Sequence, residues 1–372
     1  MAIIGGGIAG LALAAELAEL DGRLADRSGG TRTQLRIMLL ERENQFAYHT
    51  TGRSIAALCE SLGGPPVQAL TRASRTILDA LGAESGTPLL RARPVVWVAG
   101  EAHLGALNEL LTANPGLRAV DPAAARTLCP ALRPDAVARA AVERTAADVD
   151  VDALLRQYRD RATAAGAVLR TGIGLEAGVH DPGAGGWRLT TDRGELTAGR
   201  VVNAAGPWAD AVAARLGATP AGLTNLRRTV AIASAAGIGP AWPLVIDVGD
   251  TFYFRPERGG LLVSPADAAP SPPTDAVAAP QDVRLAVERA AAATTLTLDR
   301  VRTSWAGLRT FAPDGLPVLG PDPVQAGLFW FAGLGGTGIQ TAPALARLAA
   351  AQLLGEPYEV PDLSPDELRP TR

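Results

Sequence analysis

The chain has 372 residues, 47% of them hydrophobic and 20% charged, with a formal net charge of −3. That length holds two intertwined domains, each with its own core, and that charge gives no electrostatic reason to expect nucleic acid or an anionic membrane surface as a partner. All 35 basic side chains are arginine, and without lysine neither Schiff-base pyridoxal-phosphate chemistry nor a Walker P-loop is available.

Cys59 and Cys129 lie far apart without C-x-x-C spacing, and His49, His103 and His180 are scattered, so no metal site and no disulfide framework is expected. Two free thiols suit a reducing compartment. With no basic-then-apolar leader and no apolar run of ~20 residues, the expectation is a cytoplasmic protein without a membrane span.

In chain order, "AII" is a strand stub and "GGGIAGLALAAELAEL" turns into an alanine-leucine helix. "DGRLADRSGGTRTQL" (21–35) reads as an inserted loop, and "RIMLLER" as a buried strand ending in acid. Helical periods cover 65–82 and 101–112, with the strand "PVVWVAG" between them. Residues 148–166 form a helix opened by acidic caps. Then come the strand "AVLRTG", a hairpin around "GWRLTTDRGEL" and the apolar strand "RVVNAAG". The β-rich stretch "RRTVAIAS", "WPLVIDV", "TFYFRPE" and "GGLLVSP" follows, each piece bounded by Gly or Pro. A helix over 282–293 precedes "LTLDRVRTSWAGLRT", and "GLFWFAGLGGTGIQTAPALARLAAAQLLG" gives a strand, a glycine turn and a long helix. Residues 266–281 read as a surface loop and 358–372 as a polar tail.

Gly5, Gly7 and Gly10 fit G-x-G-x-x-G between a strand and a helix. The first allows the turn, the second the approach of a pyrophosphate and the third close helix–strand packing. Ile8 and Ala9 then offer the free N–H groups of a helix N-terminus. Glu41, with Arg42 beside it, ends the second strand, where an acid accepts from a ribose hydroxyl. It lies 41 − 10 = 31 residues beyond Gly10, against about 20 in the usual spacing, and the 21–35 insertion accounts for the excess. Ala204, Ala205, Gly206 and Trp208 form a second close-approach segment. Gly333, Gly335, Gly336, Thr337, Gly338, Ile339 and Gln340 form a third at another helix N-terminus. One cofactor touched by three distant segments is more typical of FAD than of NAD.

Taken together, "IIGGGIAG", "LLERE", "YHTTGRSIA", "ADVDVDALLRQY", "VVNAAGPWAD", "RRTVAI", "FYFRPE", "TSWAGLRTFAPDGLPVLG" and "GLGGTGIQT" resemble the FAD-dependent D-amino-acid oxidase superfamily over nearly the whole chain, with the D-arginine dehydrogenase type closest. The resemblance implies an α/β fold: a discontinuous Rossmann-like FAD domain (1–64, 145–222 and 300–372) and a substrate domain on a large mixed β-sheet (65–144 and 223–299). It implies that Thr51, Gly52, Arg53 and Ser54 pack along FAD. It also implies that Arg309 grips a substrate carboxylate, with Arg228 a second arginine near it and Tyr253 a phenol beside the substrate. Guanidinium suits that role because it is planar, always charged and bidentate.

The departures bear on specificity. Ala57 and Leu62 stand where the D-arginine enzymes carry an active-site histidine and tyrosine, and Val95 stands where they carry a glutamate for the basic side chain. With Leu244 and Ile246 facing the expected site and Gly336 shared with it, an apolar or small side chain is expected instead. Glu60 and Asp247 remain as acids that could select a cation. The implied reaction is oxidative deamination of a D-amino acid to the 2-oxo acid, by hydride transfer to flavin N5 with no dedicated side-chain base. FAD is expected to be non-covalent, although His49 stands where some N-methylglycine dehydrogenases attach theirs. The missing lysine points to a dehydrogenase, since sarcosine-oxidase relatives use one to promote reaction with oxygen; the electron acceptor is left open. Two alternatives stay open. One is an enzyme of the same fold acting on a secondary or modified amine; the other is a flavoprotein subunit of a heteromeric dehydrogenase, with 21–35 as a docking loop.

Overall fold

The computed structural model describes residues 1–29 and 33–371. A six-stranded sheet runs in the order Val318–Pro321, Leu328–Ala332, Val201–Asn203, Ala2–Ile4, Met38–Leu40, Val168–Arg170, and every neighbouring pair is parallel except the first. A parallel sheet must be covered on both faces. On one face lie the helices Ile8–Arg27, Val151–Ala164 and Gly338–Leu354, with Pro65–Ser85 packed on the last. The opening helix is buried from Ile8 through Ala18, as an alanine-leucine helix without a polar stripe must be. Its one acid there, Glu16, is paired with Arg161 and Arg347, each at 3.2 Å. On the other face the antiparallel hairpin strands of 175–198 and the helix Ala209–Arg215 bury Trp187, Leu189 and Val212 against Trp330.

A ten-stranded mixed sheet forms the second layer, in the order Leu334–Gly335, Arg300–Phe311, Thr224–Ser234, Gly260–Ser264, Tyr253–Glu257, Leu244–Asp247, Val95–Ala99, Arg139–Glu143, Arg118–Val120, with Ala269–Pro270 added beside Thr224–Ser234. Strand alternation gives it two unlike faces. Val96, Ala231, Val245, Phe254 and Val263 pack against the helices Pro122–Leu128 and Pro280–Ala293. The opposite face carries Trp97, Val230, Leu244, Tyr253 and Leu262.

Several expectations are corrected here. The helix read from 148 begins at Val151, capped by Asp150, whose carboxylate accepts from Ala153 N at 2.9 Å; Asp148 belongs instead to the strand Ala147–Val149. Residues 21–27 of the supposed loop continue the opening helix, because Gly22 alone, costing ~1 kcal/mol, does not stop it. Asp21 ties the returning chain by accepting from Leu35 N at 2.6 Å, while 30–32 lie outside the described residues. The strand Arg300–Phe311, grouped above with the cofactor segments, is a member of the ten-stranded sheet. The helix Pro65–Ser85, grouped with the substrate segments, buries Leu70, Leu78 and Leu81 in the core of the six-stranded one. Among the described residues no helix is long and apolar enough to cross a membrane.

Candidate functional site

The glycine loop sits where the sequence puts it, and its geometry excludes larger residues. Gly5 has φ +112°, and a Cβ there would lie 2.4 Å from Ala204 O; one on Gly10 would lie 1.9 Å from Gly5 O. Gly10 therefore serves helix–strand packing and is not on the cavity wall. Gly5, Gly7, Glu41, Arg42, Ala204, Ala205, Gly206 and Trp208 line one cavity. Glu41 braces the loop directly, accepting from Gly6 N at 2.7 Å and, through its other oxygen, from Glu43 N at 2.8 Å. Thr51 Oγ1 accepts from Ile8 N at 3.0 Å, so the Ile8 N–H expected to be free for a phosphate is engaged, and the bond fixes the 51–54 segment to the helix N-terminus. Ile173, Leu175, Val212 and Arg215 complete this wall and were not anticipated, because they reach it from elements with no motif of their own.

A larger cavity shares Gly7, Thr50, Thr51, Ala204, Gly206 and Pro207 with the first, so the two form one elongated groove. Ile8, Ala9, Arg53, Ser54, Gly333, Gly335, Gly336, Thr337, Gly338, Ile339 and Gln340 line this second part. Three predicted contacts are engaged elsewhere. The Gln340 amide is buried and committed to Cys59 N (2.9 Å), Cys59 O (3.2 Å) and Thr71 Oγ1 (3.0 Å). Gly52 is off both walls, and a Cβ there would lie 2.4 Å from Ala47 O. The Arg53 guanidinium donates to Ala276 O (2.8 Å) and Ala306 O (3.1 Å) and pairs with Asp275.

The two arginines are brought together by sheet register. Arg228 pairs across the ladder with Gly307, and Arg309 lies two residues further along the same strand, opposite Leu226. Period-2 alternation puts both side chains on one face, with the bare Gly307 between them on the cavity wall. Arg228 Nε donates to Asp267 O at 2.7 Å, but one of its terminal nitrogens is buried without a hydrogen-bond partner. Arg309 Nε is also buried and unpartnered, and no carboxylate among the described residues forms an ion pair with Arg309. Burial, and next the neighbouring Arg228 cation, pull the Arg309 guanidinium down to about 10. A desolvated cation without an anion is costly, and an incoming carboxylate relieves the cost. Tyr253 is buried beside the pair, with Arg228 5.8 Å from its ring centroid; burial raises its hydroxyl, so it keeps its proton.

Ala57, Leu62, Trp97, Leu244, Ile246 and Gly336 line the same cavity. Val95 does not; it is buried on the strand beside Leu244. Glu60 is also off the wall, paired with Arg75 at 2.9 Å. Asp247 is on the wall but accepts from Thr251 Oγ1 at 2.6 Å. The buried Glu143, unforeseen in the sequence, holds the lining loop by accepting from Glu60 N at 2.6 Å and Ser61 N at 3.3 Å. His49 lies in the first cavity, its ring 4.4 Å from Trp208 and its Nε2 3.0 Å from Glu43; its Nδ1 is buried without a partner. Among the described residues no cluster of three or more His, Cys, Asp or Glu is set to hold a metal ion.

The groove fits a dinucleotide: a glycine cradle at a helix N-terminus in the middle, an acid at one end, and at the other a Gly336 whose missing Cβ would sit 3.1 Å from Arg309.

Comparison with known proteins agrees. The sequence model of the DAO family, described as FAD dependent oxidoreductase, matches residues 1–352. Glycine oxidase of Geobacillus kaustophilus is 29% identical over 180 residues, 48% of this chain and 47% of that protein. FAD-dependent oxidoreductase domain-containing protein 1 of Bos taurus is 31% identical over 188 residues, 44% of this chain and 37% of that protein. The matched stretches thus span less than half of those relatives. The crystal structure of the Geobacillus glycine oxidase superposes with a TM-score of 0.83 at 24% identity, covering 100% of this chain and 98% of that one. L-proline dehydrogenase from P. horikoshii gives 0.84 at 19% identity, covering 100% and 96%. At those identities the likeness is one of fold.

Proposed function

The chain belongs to the DAO family of FAD dependent oxidoreductases, and from that premise we propose that it oxidises the amine of a small or apolar D-amino acid held by its carboxylate. The observation that carries this reading is the pair of guanidiniums, Arg228 buried and Arg309 half-buried, side by side on the cavity wall with hydrogen-bonding capacity unused. FAD, when bound along the groove, supplies the two-electron acceptor for the substrate Cα–H. Gly5, Gly7 and the first turn after them would hold its phosphates, with Glu41 and Arg42 at one end and the 333–339 loop at the other. We take it to be bound non-covalently.

The chain's own contribution is orientation. Arg309 and Arg228 grip the carboxylate, which fixes the Cα relative to the 333–339 loop. Tyr253, still protonated, donates a hydrogen bond toward the same carboxylate. The wall of Ala57, Leu62, Leu244 and Ile246 receives an apolar side chain and excludes water from it. No histidine lines this cavity among the described residues, so the amine enters after losing its proton to solvent. Water then hydrolyses the imine product to the 2-oxo acid and ammonia. The absence of lysine favours a dehydrogenase over an oxidase, and the electron acceptor stays open.

The test is a visible spectrum of the purified protein followed by anaerobic titration with paired D- and L-amino acids, glycine, sarcosine and L-proline. Bleaching by small apolar D-amino acids is expected. Preferential bleaching by sarcosine or L-proline moves the assignment to a secondary amine, and no bleaching by any amine that carries a carboxylate sinks it.

A further inference from the structure

The turn that joins Leu244–Asp247 to Tyr253–Glu257 ends on the cavity mouth, and it carries a carboxylate. Asp250 lies there in the left-handed region at φ +51°, held by donation of its N–H to Asp247 O at 3.0 Å. Its side chain is 68% exposed, yet its Oδ2 is 3.5 Å from the unpartnered terminal nitrogen of Arg228. The distance is that of an ion pair and is too long for a good hydrogen bond. Asp250 also lines the cavity that holds Arg309. The other acids nearby are otherwise occupied: Asp267 accepts from Thr229 N at 2.6 Å and Thr229 Oγ1 at 3.0 Å, and Asp247 is bound to Thr251.

Resting on the reading that the arginine pair binds the substrate's carboxylate, we propose that Asp250 is a resident counter-ion that competes with that carboxylate for Arg228. It occupies the mouth side of the pair, loosely enough to be displaced, and it repels every anion that approaches. The protein thereby tempers the charge of two adjacent guanidiniums and makes carboxylate binding an exchange of anions.

The experiment uses the flavin-loaded protein and the shift of its visible spectrum on titration with acetate, with acetamide as the neutral twin. Asp250→Asn keeps the volume and tolerates the left-handed backbone, so folding is preserved. Acetate is expected to bind the variant about 3–10-fold more tightly, the range of an exposed pair plus lost repulsion, while acetamide stays where it was. Acetate binding that is unchanged or weaker, or an equal gain for acetamide, overturns the proposal. Arg309→Ala is the separate control. If it binds acetate as well as the parent protein, the carboxylate site itself has been misassigned, whatever Asp250→Asn does.

Discussion

Asp148 and the Arg228–Arg309 pair are both places where guanidinium groups leave water, and they are furnished in opposite ways. One Asp148 oxygen accepts from Arg93 at 2.7 Å and Arg91 at 2.8 Å, and the other from Arg255 at 2.7 Å; Arg255 also reaches Glu257 at 2.9 Å. That cluster joins the strand Ala147–Val149 to the ten-stranded sheet through Arg255 and fixes the approach of Arg93 between them. At the arginine pair the same side chain type stands with donors unused and, among the described residues, only the exposed Asp250 within ion-pair range. The difference separates two tasks. Unused donors alone do not mark the difference, since Arg255 Nε is also buried without a partner; what differs is that the Asp148 arginines are given largely buried carboxylates, whereas Arg309 has none among the described residues and Arg228 only an exposed one.

The largest effect that would break this comparison is at Asp148. Asp148→Ala strands the buried Arg93 and Arg255 without their shared anion and should destabilise the protein by about 3–5 kcal/mol, read by denaturant unfolding of the flavin-loaded chain. A loss below ~1 kcal/mol would mean that the cluster is no more than a surface network.

Arg309→Ala should behave in the reverse sense. Substrate kcat/KM is expected to fall by on the order of 10²-fold or more, while unfolding stability holds or rises because an unpaired, half-buried cation has gone. Removal of the group also removes its linkage to pH. Its pKa, lowered to about 10 in the folded state, disfavours folding while the group stays charged, and that penalty fades only as pH rises through 10. At neutral pH the variant escapes the whole penalty. A variant that loses stability and keeps its kcat/KM would make Arg309 a structural residue.

Arg53 is the intermediate case, on the cavity wall yet satisfied by Asp275 and two carbonyls. Arg53→Ala should weaken FAD retention by about 5–10-fold, corresponding to ~1–1.5 kcal/mol for the hydrogen bonds that hold the 48–54 loop. Fluorescence of released flavin reads this directly. A larger effect on substrate KM than on FAD would move Arg53 to the substrate side.

The sequence made some of this legible. The glycine cradle and the segments at 204–208 and 333–339 are local patterns in which spacing alone carries the chemistry, and the family resemblance picked out Arg309. What it did not carry is tertiary. Ile173, Leu175, Val212 and Arg215 come to the wall of the first cavity from two unmarked segments, 173–175 and the helix Ala209–Arg215. Gln340 belongs to a recognisable glycine loop, yet its side chain turns into the core toward Cys59 and Thr71. Asp148 sits in a stretch whose acids read as helix caps, and only the strand pairing of 147–149 reveals its three arginines. Residues 21–27 stayed helical because one glycine is a weak breaker, a cost of ~1 kcal/mol that a pattern does not weigh against packing.

The smallest expected effect sharpens the comparison most. Arg91 donates to Asp148 at 2.8 Å, a bond as good as the 2.7 Å one from Arg93, but its side chain is 76% exposed where that of Arg93 is 8% exposed. If distance set the value of an ion pair, Arg91→Ala and Arg93→Ala would cost alike. Solvent screens the first and pays its entropy back on release, so Arg91→Ala should cost no more than about 0.5 kcal/mol, while Arg93→Ala leaves an aspartate short of its buried partner and should cost several times that. Equal losses in denaturant unfolding would mean that burial is the wrong variable. The same variable makes Asp250, exposed at the cavity mouth, a counter-ion that a substrate can displace, and makes Asp148 one that nothing displaces.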